Sequence, residues 1–503
     1  MTRRAVEQLE FRRKLPPVVG NADYLAFETL LIRIEELLRL SGLEEMYIEK
    51  CVAAGLREAR EAAEKEGRRF RAPSDKAMAR YQRICRQALR CNIARQLTEK
   101  EYRKFSRRLA EGALLQWFCL IDKLDKVKVP SKSTLERYDK LLPELELRAL
   151  IDMVNRQAVE EAERLDLAEA LKLDMYLSDT TCVESNIHFP TDWVLLRDGV
   201  RTLMKTVKVI RKHGLRHRMP DPDNFLREAN RLSIEMSQSR RRPDSAKRRK
   251  TVLRRMKRLT KLVKEHAERY SRRLQADWRK ETDLSEGRMK QIVRRIDGIV
   301  EQLPTAIRQA HERIIGGRKV ENRDKILSLY ERDMHVIVRK KADAEVEFGN
   351  TLYLAELAKG LIVDWKLHRE ISPGDAALLI PSMERMKTVF GKYPSAAGGD
   401  RGFASRANHQ WLEQEKITDA ICPRSPQELV KRMKSTNFRK IQKRRAQTEG
   451  RIGIMKNVFL GRPLMSKGFE HRELAVAWAV LAHNLRLLAA LPMAGEKTKR
   501  KAA

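Results

Sequence analysis

Lys443-Arg444-Arg445-Ala446-Gln447-Thr448-Glu449-Gly450-Arg451-Ile452-Gly453-Ile454-Met455-Lys456 sets one carboxylate four residues after Arg445 and seven before Lys456. On a helix of about 3.6 residues per turn those offsets fall on nearly one face. A carboxylate held between two cations makes a poor solubility device and a good oxygen ligand for a metal beside a phosphodiester. Two upstream acids complete the pattern: Asp179 in Leu177-Ser178-Asp179-Thr180-Thr181, and Asp400 in Gly398-Gly399-Asp400-Arg401-Gly402-Phe403. Three such carboxylates brought together predict a two-metal phosphoryl-transfer site.

The 503 residues and 42% apolar content are enough for several domains with buried cores. A net charge of +36 points to an extended polyanion as partner, with nucleic acid ahead of an anionic membrane surface. The chain contains no apolar run of about 18 residues, and its start, Met1 to Glu7, lacks an apolar signal core. A soluble, intracellular protein with no membrane partner is expected. Cys51, Cys85, Cys91, Cys119, Cys182 and Cys422 form no CxxC pair, so buried reduced thiols are expected rather than a zinc knuckle or a disulfide framework.

Residues 1–170 read as helical, with apolar positions such as Leu30, Leu31, Ile34, Leu37 and Leu38 three and four apart. Residues 114–141 form a helix-turn-helix candidate: an apolar helix from Leu114 to Leu124, a break at Val129-Pro130, and a Ser131-capped basic helix. An ordinary pair of packed helices explains the same pattern. Leu173 to Asp179 reads as a strand ending on an acid. From 199 to 330 the helical period returns with 37 Lys or Arg against 16 Asp or Glu, a net of +21. Arg240-Arg241-Arg242 and Lys247-Arg248-Arg249-Lys250 lie beside an apolar stripe at Leu253, Met256, Leu259, Leu262, Val263 and Tyr270, the pattern of an amphipathic helix with a basic outer face. Strands are expected at 334–338, 346–354 and 361–367, with Phe348-Gly349-Asn350 as a turn or bulge, then a helix at 376–389 kinked or broken at Pro381. After the Asp400 turn come a helix at 405–415, a strand at 417–422, the Glu449 helix and an apolar helix at 473–490. The fold class is therefore α/β: a mixed-sheet core in two parts, 171–198 and 331–492, interrupted by a basic helical insertion at 199–330. An all-helical N-terminal region (1–170) precedes it, and a small basic tail (493–503), expected to be disordered, follows.

These residues resemble the DDE transposases of bacterial insertion sequences, over roughly 173–490. The resemblance rests on three blocks: Asp179-Thr180-Thr181-Cys182-Val183-Glu184-Ser185-Asn186-Ile187-His188-Phe189-Pro190-Thr191-Asp192; Asp400-Arg401-Gly402-Phe403 with Ser405 and Asn408; and Arg445, Glu449 and Lys456 at the family's Arg, Glu, Lys spacing. The family has a Tyr three residues before that Arg, where this chain has Gln442. The resemblance implies an RNase H-like catalytic core, with Asp179 bridging two Mg²⁺ ions (Mn²⁺ substituting) and Asp400 and Glu449 each holding one. It assigns phosphates to Arg445 and Lys456. Arg401 beside Asp400 and the Lys247, Arg248, Arg249, Lys250 cluster are further candidate phosphate contacts. The resemblance further implies a bacterial, cytoplasmic, nucleoid-associated transposase, homodimeric on double-stranded DNA. It would bind terminal inverted repeats with its N-terminal helices and carry out cleavage and strand transfer.

Other assignments compete. Glu184 and Asp192 rival Asp179; Asp364 and Asp375 rival Asp400, although Asp375 also reads as a first-turn helix residue. His188, His335, His409 and His483 share no metal-ligand spacing and read as structural. A non-catalytic DNA-binding relic, or an RNase H-like nuclease that cuts without joining, are the alternative functions.

Overall fold

The structure is a computed structural model that describes residues 14–123, 125–239, 244–338 and 346–494. Arg240-Arg241-Arg242 and nearly all of the 493–503 tail lie outside them. Two compact units divide the chain: residues 1–183, 351–368 and 372–503 form one, and 184–350 with 369–371 form the other.

The first unit opens with seven helices: α1 (Ala22–Ser41), α2 (Leu43–Lys65), α3 (Asp75–Thr98), α4 (Tyr102–Glu111), α5 (Ala113–Cys119), α6 (Lys132–Tyr138) and α7 (Glu144–Glu160). The helical spacing read in α1 buries Leu31, Ile34, Leu37 and Leu38, and Gly42 at φ 70 reverses the chain into α2. The helix-turn-helix candidate takes a different shape. Helices α5 and α6 have seven residues each, and the segment between them is closed by an Asp122–Val127 bridge. A helix-turn-helix turn spans about 3–4 residues. The predicted cap does form, with the Ser131 hydroxyl accepting the Thr134 N–H.

Among its described residues the second unit contains four α-helices: α8 (Asp192–Lys212), α9 (Pro222–Gln238), α10 (Ser245–Glu281) and α11 (Glu286–Ala310). They enclose their own core, in which Leu203, Val207, Met256, Val263, Tyr270, Ile296 and Leu303 are buried. The insertion starts earlier than position 199, because Asp192 begins α8. Its carboxylate accepts from Arg313 Nη1 at 2.9 and 3.0 Å and from Gln309 Nε2 at 2.9 Å. That is a structural bond, which removes Asp192 from contention as a metal ligand.

The described residues include six strands: β1 (Tyr176–Glu184), β2 (His335–Val338), β3 (Val346–Leu357), β4 (Ile362–Leu367), β5 (Ala396–Gly399) and β6 (Thr418–Ile421). In the second unit β2 pairs antiparallel with Val346–Gly349, so Phe348-Gly349-Asn350 is strand rather than turn. In the first unit the order is β4-β3-β1-β5-β6, with β3–β4 antiparallel and β1–β5 and β5–β6 parallel. The remaining helices are α12 (Leu379–Phe390), α13 (Arg406–Gln414), α14 (Pro426–Arg432), α15 (Thr436–Ile454) and α16 (Phe469–Ala489). Pro381 does not break α12, because it falls in the first turn, where its missing N–H has no intrahelical partner to lose. Phe438 and Ile441 of α15 pack on Leu177, Ala396 and Ala420 of the sheet. The apolar α16 is buried against α1, α3, α7 and β4, so the N-terminal helices and the sheet share one continuous core.

Candidate active site

Asp179 is the fourth residue of β1 rather than its last, since the strand runs on to Glu184. Tyr176 and Leu177 pair in parallel register with Ala397 and Gly398 of β5. Continuing that register by two residues brings Asp179 level with Asp400, which follows the last residue of β5. Successive strand residues point to opposite faces, so Glu184, five positions on, faces away from Asp179. The Asp400 turn is held by its own side chain: Oδ1 accepts the Gly402 N–H at 2.8 Å, and the Asp400 carbonyl accepts the Phe403 N–H at 3.2 Å. Arg401 is exposed beside it.

Glu449 lies on α15 as expected, with its side chain 68% exposed and its Oε1 at 3.7 Å from Arg445 Nη1. Gln442, at the family's Tyr position, donates to the Ala420 carbonyl of β6 at 2.6 Å and accepts from Arg445 Nε at 3.1 Å. It therefore braces Arg445 against the sheet. Lys456 falls beyond the end of α15, in the wider π-helical turn Met455–Leu460. The straight-helix offset read from the sequence thus ends two residues short of it.

Burial foremost lifts the Asp179 carboxyl from 3.8 to about 6. The nearby carboxylates of Asp400 and Glu449 push it the same way, while the Thr180 N–H, donating to Asp179 Oδ1 at 2.7 Å, and Arg445 oppose it. Asp179 thus feels Asp400, Glu449 and Arg445. Among the described residues, no three His, Cys, Asp or Glu side chains already form a cluster that could hold a metal. The donors are nonetheless hard oxygens, and a cation between mutually repelling carboxylates would relieve the penalty that Asp179 carries.

The rival acids have other work. Asp364 is buried on β4, bound to Arg385 Nε at 2.6 Å, Arg148 Nη1 at 3.1 Å and the Ser382 hydroxyl. Asp375 sits in a 3₁₀ turn, accepts from the Thr180 hydroxyl at 3.0 Å, and lies against Gly402, where an added Cβ would come within 2.4 Å of its Oδ2. It therefore borders the site for which the sequence reading weighed it as a rival to Asp400. His409 binds Asp419 at 2.6 Å and His483 binds the Gly360 carbonyl at 3.0 Å, both structural contacts. In the Lys247–Lys250 cluster, Arg248 pairs with Glu235 at 3.5 Å and Arg249 lies over the Trp193 ring at 5.5 Å, while Lys247 is exposed.

Residues 355–485 match the family model described as the transposase DDE domain. The matched stretch is thus similar to the transposase DDE domain, and it holds Asp400, Arg445, Glu449 and Lys456, whereas Asp179 lies outside it. No curated protein and no solved structure matches. No helix among the described residues is long and apolar enough to cross a membrane.

Proposed function

We propose that the protein is a transposase that binds the terminal inverted repeats of its element and catalyses metal-dependent strand cleavage and transfer at Asp179, Asp400 and Glu449. The observation that carries this reading is that Asp179, within β1, feels the carboxylates of Asp400, just after β5, and of Glu449 on α15, drawn from positions 221 and 49 residues apart. The strand order β4-β3-β1-β5-β6, antiparallel on one side and parallel on the other, supports an RNase H-like core with its insertion after the first strand. The proposed domain roles are end recognition in 1–170, catalysis in 171–191 and 331–492, and phosphate gripping in 192–330, the insertion being taken from the start of α8.

Two divalent ions, Mg²⁺ or Mn²⁺, would be held by the three carboxylates and would supply activation of the attacking oxygen and charge neutralisation at the leaving oxygen. The chain's own part is positional. The Gly402 N–H orients Asp400, the Thr180 N–H orients Asp179, and Gln442 steadies Arg445. Arg445 and Lys456 are then placed to neutralise phosphate oxygens, with Arg401 beside Asp400. A homodimer holding two ends is the proposed working assembly on double-stranded DNA.

A precleaved inverted-repeat end, incubated with supercoiled plasmid and Mg²⁺, tests the reading. Joined product is expected. Cleavage of the uncut end without any joining would instead support a nuclease, and neither reaction would support a DNA-binding relic.

A further inference from the structure

We infer that Glu356, on β3, is the positioning residue that sets the rotation of α15 and so aims Glu449 at the metal-binding acids. The inference rests on the site reading above and adds a residue to it. Glu356 is 4% exposed, and its Oε1 accepts from three side chains of one helix: Arg444 Nη2 at 2.9 Å, Thr448 Oγ1 at 2.8 Å and Arg451 Nη1 at 3.3 Å. Spaced four and three apart, these residues form a single face of α15. Glu449 is the residue after Thr448, so its direction follows from how that face is fixed.

The surrounding geometry serves the same end. The β3–β4 register shifts between Ala355 and Glu356, an irregularity of the kind that re-aims a side chain. Arg444 also donates to the Leu357 carbonyl at 3.3 Å and to the Ala358 carbonyl. Gly360, at φ 97, leaves room for Arg451: a Cβ there would come within 2.2 Å of its Nη1. The β3–β4 connection and α15 are thus stapled through one carboxylate. A buried carboxylate facing two guanidiniums is a poor source of net stability compared with apolar packing, whereas orientation is what such a group can provide.

Glu356→Gln keeps the size and the acceptor but removes the charge that gathers the two arginines. In the full chain bound to an inverted-repeat duplex, DNA affinity should stay within about twofold. Cleavage should fall by about 10- to 100-fold, the scale on which ångström misplacement acts. The readout that a merely structural role would not move is Mn²⁺ affinity, titrated by electron paramagnetic resonance in the DNA complex, which should weaken several-fold. Wild-type cleavage and Mn²⁺ affinity in Glu356→Gln overturn the inference. If that variant fails to fold, Thr448→Val decides, since it removes one hydrogen bond to Glu356 and leaves both arginines in place: a smaller weakening of Mn²⁺ binding supports the inference, and an unchanged titration overturns it. Glu449→Gln serves as control. Full cleavage by that variant removes the site reading and the inference with it, whereas its inactivity beside a fully active Glu356→Gln removes the inference alone.

Discussion

Asp179→Asn should make the metal-free protein more stable while abolishing its chemistry. The carboxyl titrates near 3.8 ordinarily and near 6 in the fold, chiefly because burial disfavours its charged form, with Asp400 and Glu449 adding to the effect. Below the unfolded value it is protonated in both states, and its favourable contribution to folding is then fully present. That contribution is lost as pH rises from about 4 through 6, because the folded state must then ionise a group that resists it. At about 1.36 kcal/mol for each tenfold change in proton affinity, the ceiling is about 3 kcal/mol at pH 7.5, and solvent screening of this half-buried site brings it nearer to about 2. Asn keeps the shape and can still accept the Thr180 N–H, so the substitution isolates the charge. Urea unfolding of the first unit, without divalent ions, should show Asp179→Asn more stable by about 2 kcal/mol at pH 7.5 and by about a third as much at pH 4.5. Added Mg²⁺ should stabilise the wild type more than the variant. An Asn variant that is no more stable at pH 7.5, or a gap that does not change with pH, refutes the electrostatic account.

Gly402→Ala should depress cleavage at least tenfold with little effect on DNA binding, because its Cβ would press within 2.9 Å of Asp400 Oδ1 and 2.4 Å of Asp375 Oδ2; paired cleavage and mobility-shift assays check this. Lys456→Met keeps the apolar stem and removes the point charge, so thermal stability should hold while end binding or cleavage weakens. A lower melting temperature at unchanged specific activity would instead mean that Lys456 is structural. Changing Lys247, Arg248, Arg249 and Lys250 together to Gln should weaken specific and random duplex binding equally and flatten the salt slope by roughly one to two units, since Arg248 and Arg249 are partly engaged within the protein. Fluorescence titration across salt concentrations gives the slope, and selective loss of end preference would move base readout into the insertion.

Much of the candidate site was legible because its acids sit in recognisable local frames: a strand around Asp179, a glycine-rich turn around Asp400, and a cation-flanked helix face at Glu449. Strands β3, β4 and β6 were legible from β-branched and aromatic alternation. Strand β5 was not. Ala396-Ala397-Gly398-Gly399 has no β-branched residue, and its small side chains reflect tertiary crowding that sequence periodicity does not carry: a Cβ on Gly398 would come within 2.9 Å of Leu177 and 3.2 Å of Ile441. Lys456 was read on a straight helix, which gives way to a π-helical turn at Met455, two residues after Gly453. Glu356 gave no signal, because what distinguishes it is which distant side chains reach it, and Asp375 was weighed only as a rival to Asp400 or a first-turn helix residue. The first turn of α8 was missed because Asp192 looked like part of a catalytic block, whereas it is tied to Arg313 across the insertion.

The central claim, that Asp179, Asp400 and Glu449 hold the metals that act on DNA, is tested most directly by anomalous diffraction from crystals of the full chain with an inverted-repeat duplex and Mn²⁺. The account predicts anomalous peaks within about 2.5 Å of carboxylate oxygens of Asp179 and Asp400, with Glu449 reaching one of them and the scissile phosphate beside both. Mn²⁺ bound at other carboxylates, with the phosphate there and these three acids left without metal, would contradict it.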